Sequence, residues 1–322
     1  MLYTLIQLLS DGEFHSGEEV GQHLGVSRTA VWKQLQKLSA YGLEVQSQKG
    51  KGYRLSAPLE LLDADAIQQS LNPIFSKELI TIEVLVDTDS TSDCAMARVK
   101  AGGSAHGYCC FAEYQRKGRG RRGRQWQSPF GRNLYFSLVW EFEGGATVLE
   151  GLSLVMGLAI VRALSALGVE GLLLKWPNDI LLNKKKLGGI LLEMAGDPAG
   201  HCQVVIGVGL NMAMSANQPD IDQPWSNLPA WLNPSRNALA AAVINAMARI
   251  LIDYADSGFA SYREQWQQFD AFLGQRVRLS AGDQVQEGIA VGVADNGAII
   301  LEVEGQRQLA HGGELSLTVA GL

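Results

Sequence analysis

The stretch Tyr114–Arg132 reads YQRKGRGRRGRQWQSPFGR. Seven of its residues are basic (Arg116, Lys117, Arg119, Arg121, Arg122, Arg124 and Arg132) and none is acidic. Gly118, Gly120 and Gly123 interrupt the arginines. Glycine lets backbone N–H groups come close to a ligand. The guanidinium is a planar, permanently charged donor that matches carboxylate and phosphate. The stretch therefore reads as a loop that holds an anion, where a merely solvated basic loop would need no interleaved glycines. A second constellation is Lys175-Trp-Pro-Asn-Asp179, followed by Lys184-Lys-Lys186-Leu-Gly-Gly-Ile190. Lys175 enters a Pro-Asn-Asp turn and Lys186 lies beyond it, beside Gly188-Gly189. Asn178 and Asp179 suit a Mg²⁺ or hydroxyl contact, or simply the capping of that turn. Cations converging from both stretches suit a polyanion such as ATP beside a carboxylate, at the moment pyrophosphate leaves.

Other chemistries are excluded by context. Gly118-x-Gly120-x-x-Gly123 has the dinucleotide spacing, but that fingerprint needs a helix after it and an acid roughly 20 residues on. Here a strand, Leu134–Trp140, follows instead. There is no G-x-x-x-x-G-K-[ST] phosphate loop. The four cysteines (Cys94, Cys109, Cys110, Cys202) form no C-x-x-C pair, and with His106 and His201 they match no zinc spacing. Free thiols fit a reducing, cytoplasmic setting. The net charge of −6 advertises no nucleic-acid binding globally, so charge must be read locally. The N-terminus lacks a basic leader and a cleavage site. The apolar run 147–168 carries Glu150 and Arg162 and reads as a buried helix, with no membrane span.

The elements that must position these residues follow from periodicity. Leu2, Leu5, Ile6 and Leu9 share one helical face. Ser16-Gly-Glu-Glu19 is a capping box, and Ser27 caps a third helix with Val31, Leu35 and Leu38 inward. Its outer face shows Arg28, Thr29, Trp32, Lys33, Gln36 and Lys37. Strands Leu43–Gln48 and Tyr53–Leu55 flank a turn carrying Lys49 and Lys51. This is a winged helix-turn-helix. Residues 26–54 hold six Lys/Arg against one acid, whereas residues 1–25 hold four acids and no Lys/Arg. Positive charge thus sits on the half that would meet phosphate, with Ser27, Arg28, Thr29, Trp32, Lys33, Gln36, Lys49 and Lys51 as the DNA-contacting set. Leu59–Leu71 reads as a helix leading onward.

In the centre, strands are expected at Leu79–Asp87, Gly107–Glu113, Leu134–Trp140, Leu172–Trp176, Ile180–Leu182, Gly188–Met194 and Cys202–Asn211. Helices are expected from Asp89–Ser92 to about Lys100, at Ala238–Tyr254 and at Phe259–Phe269. The sum is an α+β chain with a mixed or mainly antiparallel central sheet and helices on one face. Four short strands after Gln275, separated by Gly/Asp/Asn turns, read as a small barrel. The expected domains are 1–60, 61–272 and 273–322.

EYQRKGRGRRGRQW, KWPNDI, KLGGILLE and VVIGVGLNM, in this order, resemble the biotin–protein ligases along essentially the full length. With the winged helix in front, the likeness is to the bifunctional ligase–repressor kind. The resemblance implies a class II aminoacyl-tRNA synthetase-like centre and an SH3-like C-terminal barrel. It implies that biotin and MgATP give biotinoyl-5′-AMP, whose acyl group passes to a lysine of the biotin carboxyl carrier protein. It also implies that the adenylate acts as corepressor, promoting a homodimer on operator DNA of biotin-synthesis genes. Matched to the family, Ser90, Thr91, Ser92, Gln115, Arg119, Gly120, Arg121 and Lys186 fall on biotin. Arg119, Arg121, Trp126, Lys175, Asn178, Asp179, Asn211 and Trp225 fall on the nucleotide side. Lys186 and Arg121 fall on the reacting centre; Trp126, Lys175, Asn178, Asp179 and Asn211 match nucleotide-side or metal-side positions, with no metal-ligand set assigned. Ser92 stands where the family commonly has Asn. The stretch Ser215–Pro224, a lid by composition, also departs in sequence. A sensor that binds without catalysing would keep the same loop. A lipoate- or octanoyl-transferring relative would share the core, but not the arginine loop and wing.

Overall fold

The computed structural model describes residues 1–76, 81–215, 220–232, 235–281, 284–311 and 315–319. The chain opens with α1 (Leu2–Leu9), α2 (Gly17–Leu24) and α3 (Arg28–Lys37), then the hairpin β1 (Val45–Gln48) and β2 (Gly52–Leu55). The Ser16–Glu19 capping box forms, and Ser27 accepts from the Ala30 N–H at the start of α3. Leu5, Ile6, Leu9, Val20, Val31, Leu35 and Leu38 bury together, as their spacing dictates.

Then come α4 (Ala64–Gln69), α5 (Pro73–Ser76), β3 (Thr81–Leu85), α6 (Thr91–Lys100), β4 (Tyr108–Ala112), β5 (Asn133–Phe142) and α7 (Leu152–Ala166). β6 (Leu172–Lys175), β7 (Asp179–Leu182), β8 (Lys185–Gly196), β9 (Cys202–Asn211), α8 (Arg236–Ser257) and α9 (Arg263–Gln267) complete the centre. Seven strands make one sheet in the order β3-β4-β5-β9-β8-β7-β6. Only β3–β4 is parallel, so the expected mixed, mainly antiparallel sheet is found.

Helices lie on both faces rather than one. Alternate strand residues point to opposite faces. Phe111, Leu138, Val204 and Ile206 pack with α7 and α8 in the main core. Cys110, Val139 and Val205 pack with Ala95, Met96 and Val99 of α6 on the other side. By length and composition the segments Gly145–Ala166 and Arg236–Ser257 are apolar enough to cross a bilayer, yet α7 and α8 pack against each other and the sheet.

Three further expectations are corrected. Leu59–Leu62 is an extended strap, and the helix there is only α4, capped by Asp63. The strap is held by the Leu62 N–H on Glu113, and by the Glu60 carboxylate on the Arg236 and Asn237 end of α8. Those tertiary bonds outweigh local helix propensity. The 147–168 helix begins only at Leu152, after a 3₁₀ turn and a left-handed Gly151 whose missing Cβ leaves room for Phe259. The Phe259–Phe269 helix is a 3₁₀ turn followed by α9. Residues 79–80 of the expected Leu79–Asp87 strand lie outside the described residues.

The C-terminal strands β10 (Arg276–Ala281), β11 (Gln284–Val293), β12 (Ile299–Val303), β13 (Gln306–Ala310) and β14 (Leu315–Val319) form an antiparallel sheet in the order β13-β12-β11-β10-β14. β14 was not foreseen. Val277, Leu279, Ala290 and Ile299 join the main core, so this sheet is welded to the centre. One weld reaches the Lys175-Trp-Pro turn: the Trp176 indole N–H donates to the Gly297 carbonyl at 3.0 Å.

Candidate active site

Ser90, at the N-cap of α6, turns Thr91 and Ser92 toward the sheet. All three are buried. Gln115 reaches them from the end of β4: its Oε1 accepts from the Thr91 N–H at 2.9 Å and from the Thr91 hydroxyl at 3.3 Å. Its Nε2 donates to Ser128 Oγ at 3.0 Å. Ser137, in the middle of β5, donates to Thr91 Oγ1 at 2.9 Å and lies 3.1 Å from the Ser92 hydroxyl. The result is a neutral, fully hydrogen-bonded cluster. Ser137 and Ser128 escaped the sequence reading. The signal was there: a lone serine in the apolar strand NLYFSLVW is a buried polar group that must find partners.

The floor beside this cluster is made by two glycines of VVIGVGLNM. A Cβ on Gly207 would stand 2.8 Å from Ser92 Oγ, and one on Gly209 would stand 2.6 Å from the Trp126 ring. Being two residues apart on β9, they face the same side, about 7 Å from one another. Gly189 of β8 pairs with Gly209 and continues the floor toward Lys186 and Asp179.

At this second end Lys186 Nζ sits 2.8 Å from Asp179 Oδ1 and 5.5 Å from the centre of the Trp126 ring. Lys175 Nζ lies 3.9 Å from the other Asp179 oxygen. Arg121 donates to Asn178 Oδ1 at 3.0 Å, while Asn178 Nδ2 donates to the Ile190 carbonyl at 2.7 Å. Asn178 therefore bridges the arginine loop to β8, which goes beyond capping a turn. Burial, reinforced by Lys186 and Arg124 and opposed by Asp179, pulls the Lys175 pKa down. Burial, with Arg122 adding to it and Asp179 opposing, does the same to Arg121. Both shifts describe cations held out of water, with Asp179 only partly offsetting the loss of solvation.

Lys186 faces this site because of a bulge. Asp179 pairs with Gly189 and Ile180 with Gly188, but Leu181 pairs with Lys186. Leu187 is the extra residue and turns fully into the main core. Strict alternation from Gly189 would have sent Lys186 into that core instead.

Arg119 spans the middle. Its NH2 lies 2.5 Å from Glu193 Oε2 and 3.1 Å from Asp93 Oδ1, and its Nε is buried without a partner. Neither acid was singled out from the sequence, since single carboxylates on a strand and a helix carry no local signal. Gly120 lines the same cleft, and its N–H closes the loop on the Arg124 carbonyl at 2.7 Å.

Trp225 bridges to Lys186 in β fashion: the Lys186 N–H donates to the Pro224 carbonyl and the Ser226 N–H to the Lys186 carbonyl, both at 2.9 Å. Asn211 uses its amide on the Lys186 and Ser226 carbonyls and so ties that segment to β9 at the cleft. Of the expected lid Ser215–Pro224, residues 216–219 lie outside the described residues; Asp220–Gln223 border the cleft. Every residue that the resemblance assigned to biotin or nucleotide lines one cleft of about 690 Å³, while Ser128, Ser137, Asp93 and Glu193 stand behind its lining; the size suits small-molecule ligands. Among the described residues no group of three or more His, Cys, Asp or Glu could hold a metal.

The N-terminal helices α1–α3 and their hairpin carry the other expected surface. Arg28, Thr29, Lys33, Gln36 and half-exposed Trp32 share the outer face of α3, and Ser27 caps it. Lys49 and Lys51 project from the β1–β2 turn. Phe14 lies under the Arg54 guanidinium at 4.5 Å and Lys51 Nζ at 5.7 Å, fixing the wing's cations to the helical body.

Comparisons with known proteins agree with this architecture. The HTH domain family matches residues 2–54, the Biotin/lipoate A/B protein ligase family matches 85–211, and the Biotin protein ligase C terminal domain matches 272–317. The Bifunctional ligase/repressor BirA of Salmonella typhimurium is 43% identical over 319 residues, 98% of this chain and 97% of that protein. That of Escherichia coli is 42% identical over 318 residues, with the same coverage. The structure of a biotin protein ligase from Aquifex aeolicus in complex with biotin and ATP superposes with a TM-score of 0.65 at 28% identity, covering 75% of this chain and all of that one. With identity at this level running through the helix-turn-helix, the cleft and the C-terminal sheet alike, the chain belongs to the BirA family of bifunctional ligase/repressors.

Proposed function

We propose that this chain is an ATP-dependent biotin–protein ligase and a DNA-binding repressor. It joins biotin to ATP as biotinoyl-5′-AMP, transfers the acyl group to a lysine of the biotin carboxyl carrier protein, and represses biotin-synthesis genes with the adenylate as corepressor. The observation that carries the reading is the composite cleft: a neutral hydroxyl and amide cluster at Gly207 opens onto a cationic end at Gly209. Ser90, Thr91, Ser92 and Gln115 take the uncharged ureido head of biotin. The carboxylate arm runs along the glycine floor to Lys186 and Arg121. Trp126, Lys175, Asn178, Asp179 and the Trp225 segment take the nucleotide.

Two anions meet there, the biotin carboxylate and the α-phosphate. Lys186 and Arg121 offset their repulsion as a carboxylate oxygen attacks phosphorus and the bond to pyrophosphate breaks. In the second step the acceptor ε-amine attacks the acyl carbon, AMP leaves, and the amine sheds a proton. Asp179 is the carboxylate nearest both lysines. One carboxylate together with substrate phosphates is the usual way Mg²⁺ is held. That ion would supply further charge neutralisation.

The central sheet is of the class II aminoacyl-tRNA synthetase type and the C-terminal strands form an SH3-like barrel, with divisions at 60/61 and 272/273. The protein works in the cytoplasm, and adenylate promotes a homodimer in which the exposed Arg122 and Arg124 are available to a partner.

Incubating the protein with biotin, MgATP and a carrier domain should add one biotin mass to the carrier, and no transfer would overturn the ligase reading. A gel shift on the organism's own biotin-synthesis promoter, at moderate salt, should appear only with adenylate. An adenylate-independent shift, or none, would remove the corepressor role.

A further inference from the structure

Arg116 and Lys117 open the basic loop, but the cleft does not use them. Lys117 Nζ lies 3.1 Å from Asp89 Oδ2, and Arg116 Nε donates to Asp89 Oδ1 at 2.8 Å. Arg116 NH1 donates to Asp87 Oδ2 at 2.5 Å. That same oxygen accepts the Tyr41 hydroxyl at 3.0 Å, while the other Asp87 oxygen is buried without a partner. Tyr41 belongs to the DNA-binding module: it ends the 3₁₀ turn Leu38–Tyr41 that continues directly from α3.

The Tyr41 ring stands edge-on to two more rings, Tyr114 at 5.3 Å and Phe130 at 5.5 Å. These are the two stems of the arginine loop. Tyr114 precedes Gln115, and Phe130 closes the turn after Ser128. The 87–89 segment is itself laced to the first stem. Thr88 N–H donates to the Tyr114 carbonyl at 3.2 Å, Arg116 N–H to the Thr88 carbonyl and Lys117 N–H to the Asp89 carbonyl, both at 2.8 Å. Ser90 and Thr91 follow immediately on one side, and Gln115 lies between the laced residues on the other. One tyrosine of the helix-turn-helix module thus touches both stems of the loop and the segment that presents the hydroxyls.

We propose that Tyr41, acting through the Asp87–Arg116 pair, is a positioning residue for the biotin end of the cleft, so that the DNA-binding module forms part of the frame that holds Gln115 against Thr91. This rests on the assignment of Gln115 and Thr91 to biotin. An exposed ion pair on its own contributes little. Here one carboxylate oxygen is shared by a guanidinium and a hydroxyl from two modules, and the aromatic stack fixes their approach.

The test is biotin binding by calorimetry, with KM and kcat for carrier biotinylation, on full-length Tyr41→Phe, Tyr41→Ala, Arg116→Ala and the Tyr41→Phe/Arg116→Ala double variant. Tyr41→Phe keeps the stack and should weaken biotin about threefold, and Tyr41→Ala about tenfold, the scale of one to two lost contacts. KM for ATP and kcat should stay within about twofold, a split that general loosening of the fold would not produce. The double variant should be no weaker than the worse single one, because both act through one oxygen. Unchanged biotin affinity in Tyr41→Phe and Tyr41→Ala, or strict additivity in the double variant, would overturn the proposal. Should Tyr41→Ala not fold, Tyr41→Phe and the double variant decide. Gln115→Ala serves as the control: if it leaves biotin binding intact, the site assignment has failed, whatever Tyr41 does.

Discussion

Around Ser137 every buried hydroxyl and amide has found another: Thr91, Ser92, Gln115 and Ser128 are all matched. A few ångströms further along β9, around Trp126 and Lys186, the accounts do not close. Arg119 Nε and Trp126 Nε1 are buried without partners, and the pKa values of Lys175 and Arg121 are both pulled down. The first end is uncharged and internally hydrogen-bonded, which under the proposed function suits a neutral head group. The second holds cations out of water, a cost that, under the proposed function, an incoming triphosphate and carboxylate would relieve. If the proposed function holds, specificity belongs to the neutral end and rate to the charged end.

The sharpest way to break this contrast is Lys186→Ala. Adenylate formation, followed by pyrophosphate release, should fall about a hundredfold or more, with biotin affinity far less affected; near-normal rates would refute its role. Gln115→Ala should do the reverse. It strips the partner from the Thr91 N–H, so KM for biotin should rise about ten- to a hundredfold while KM for ATP moves little. A comparable loss of ATP affinity would mean that the two ends are not separate.

The foundation of the charged end offers a pH test. Asp270 sits beside β6, where the Leu174 N–H donates to the Phe269 carbonyl and the Ala271 N–H to the Leu174 carbonyl. Its Oδ2 is buried without a partner. Burial, only partly offset by the Phe272 N–H, pushes its carboxyl up to about 6. The folded value lies above the unfolded one, so folding is disfavoured by ionisation. Stability is therefore lost as pH rises from the ordinary 3.8 through about 6. Asp270→Asn should be more stable by about 1–3 kcal/mol at pH 8, with the gain vanishing below about pH 4 in thermal melts. A pH-independent difference would show that ionisation is not its source. The smallest effect is expected of Ser137→Ala, which leaves Thr91 one donor short. KM for biotin should rise about fivefold with kcat unchanged, and no change would show that the hydroxyl cluster is structural only.

Much of this was legible in the chain. The helix-turn-helix followed from caps and a three-to-four residue apolar period, because helix faces are a local property. The arginine loop and the Lys175–Asp179 turn stood out by composition. Even the glycine floor was implicit, since Gly207 and Gly209 are two apart on an obvious strand. The extended strap Leu59–Leu62 was misread as helix because Glu113 and Arg236, which hold it, are distant in sequence.

What the sequence determined by itself was which residues carry charge, which cap helices and where the strands of the central sheet run, though not β14. Only the tertiary structure decided which way they point. The bulge at Leu187 puts Lys186 in the cleft rather than the core. The register of β5 against β9 sets Ser137 beside Gly207, and α6 lies on the opposite face from α7 and α8. A shift of one residue in a strand reverses every side chain, and register is fixed by partners far away along the chain.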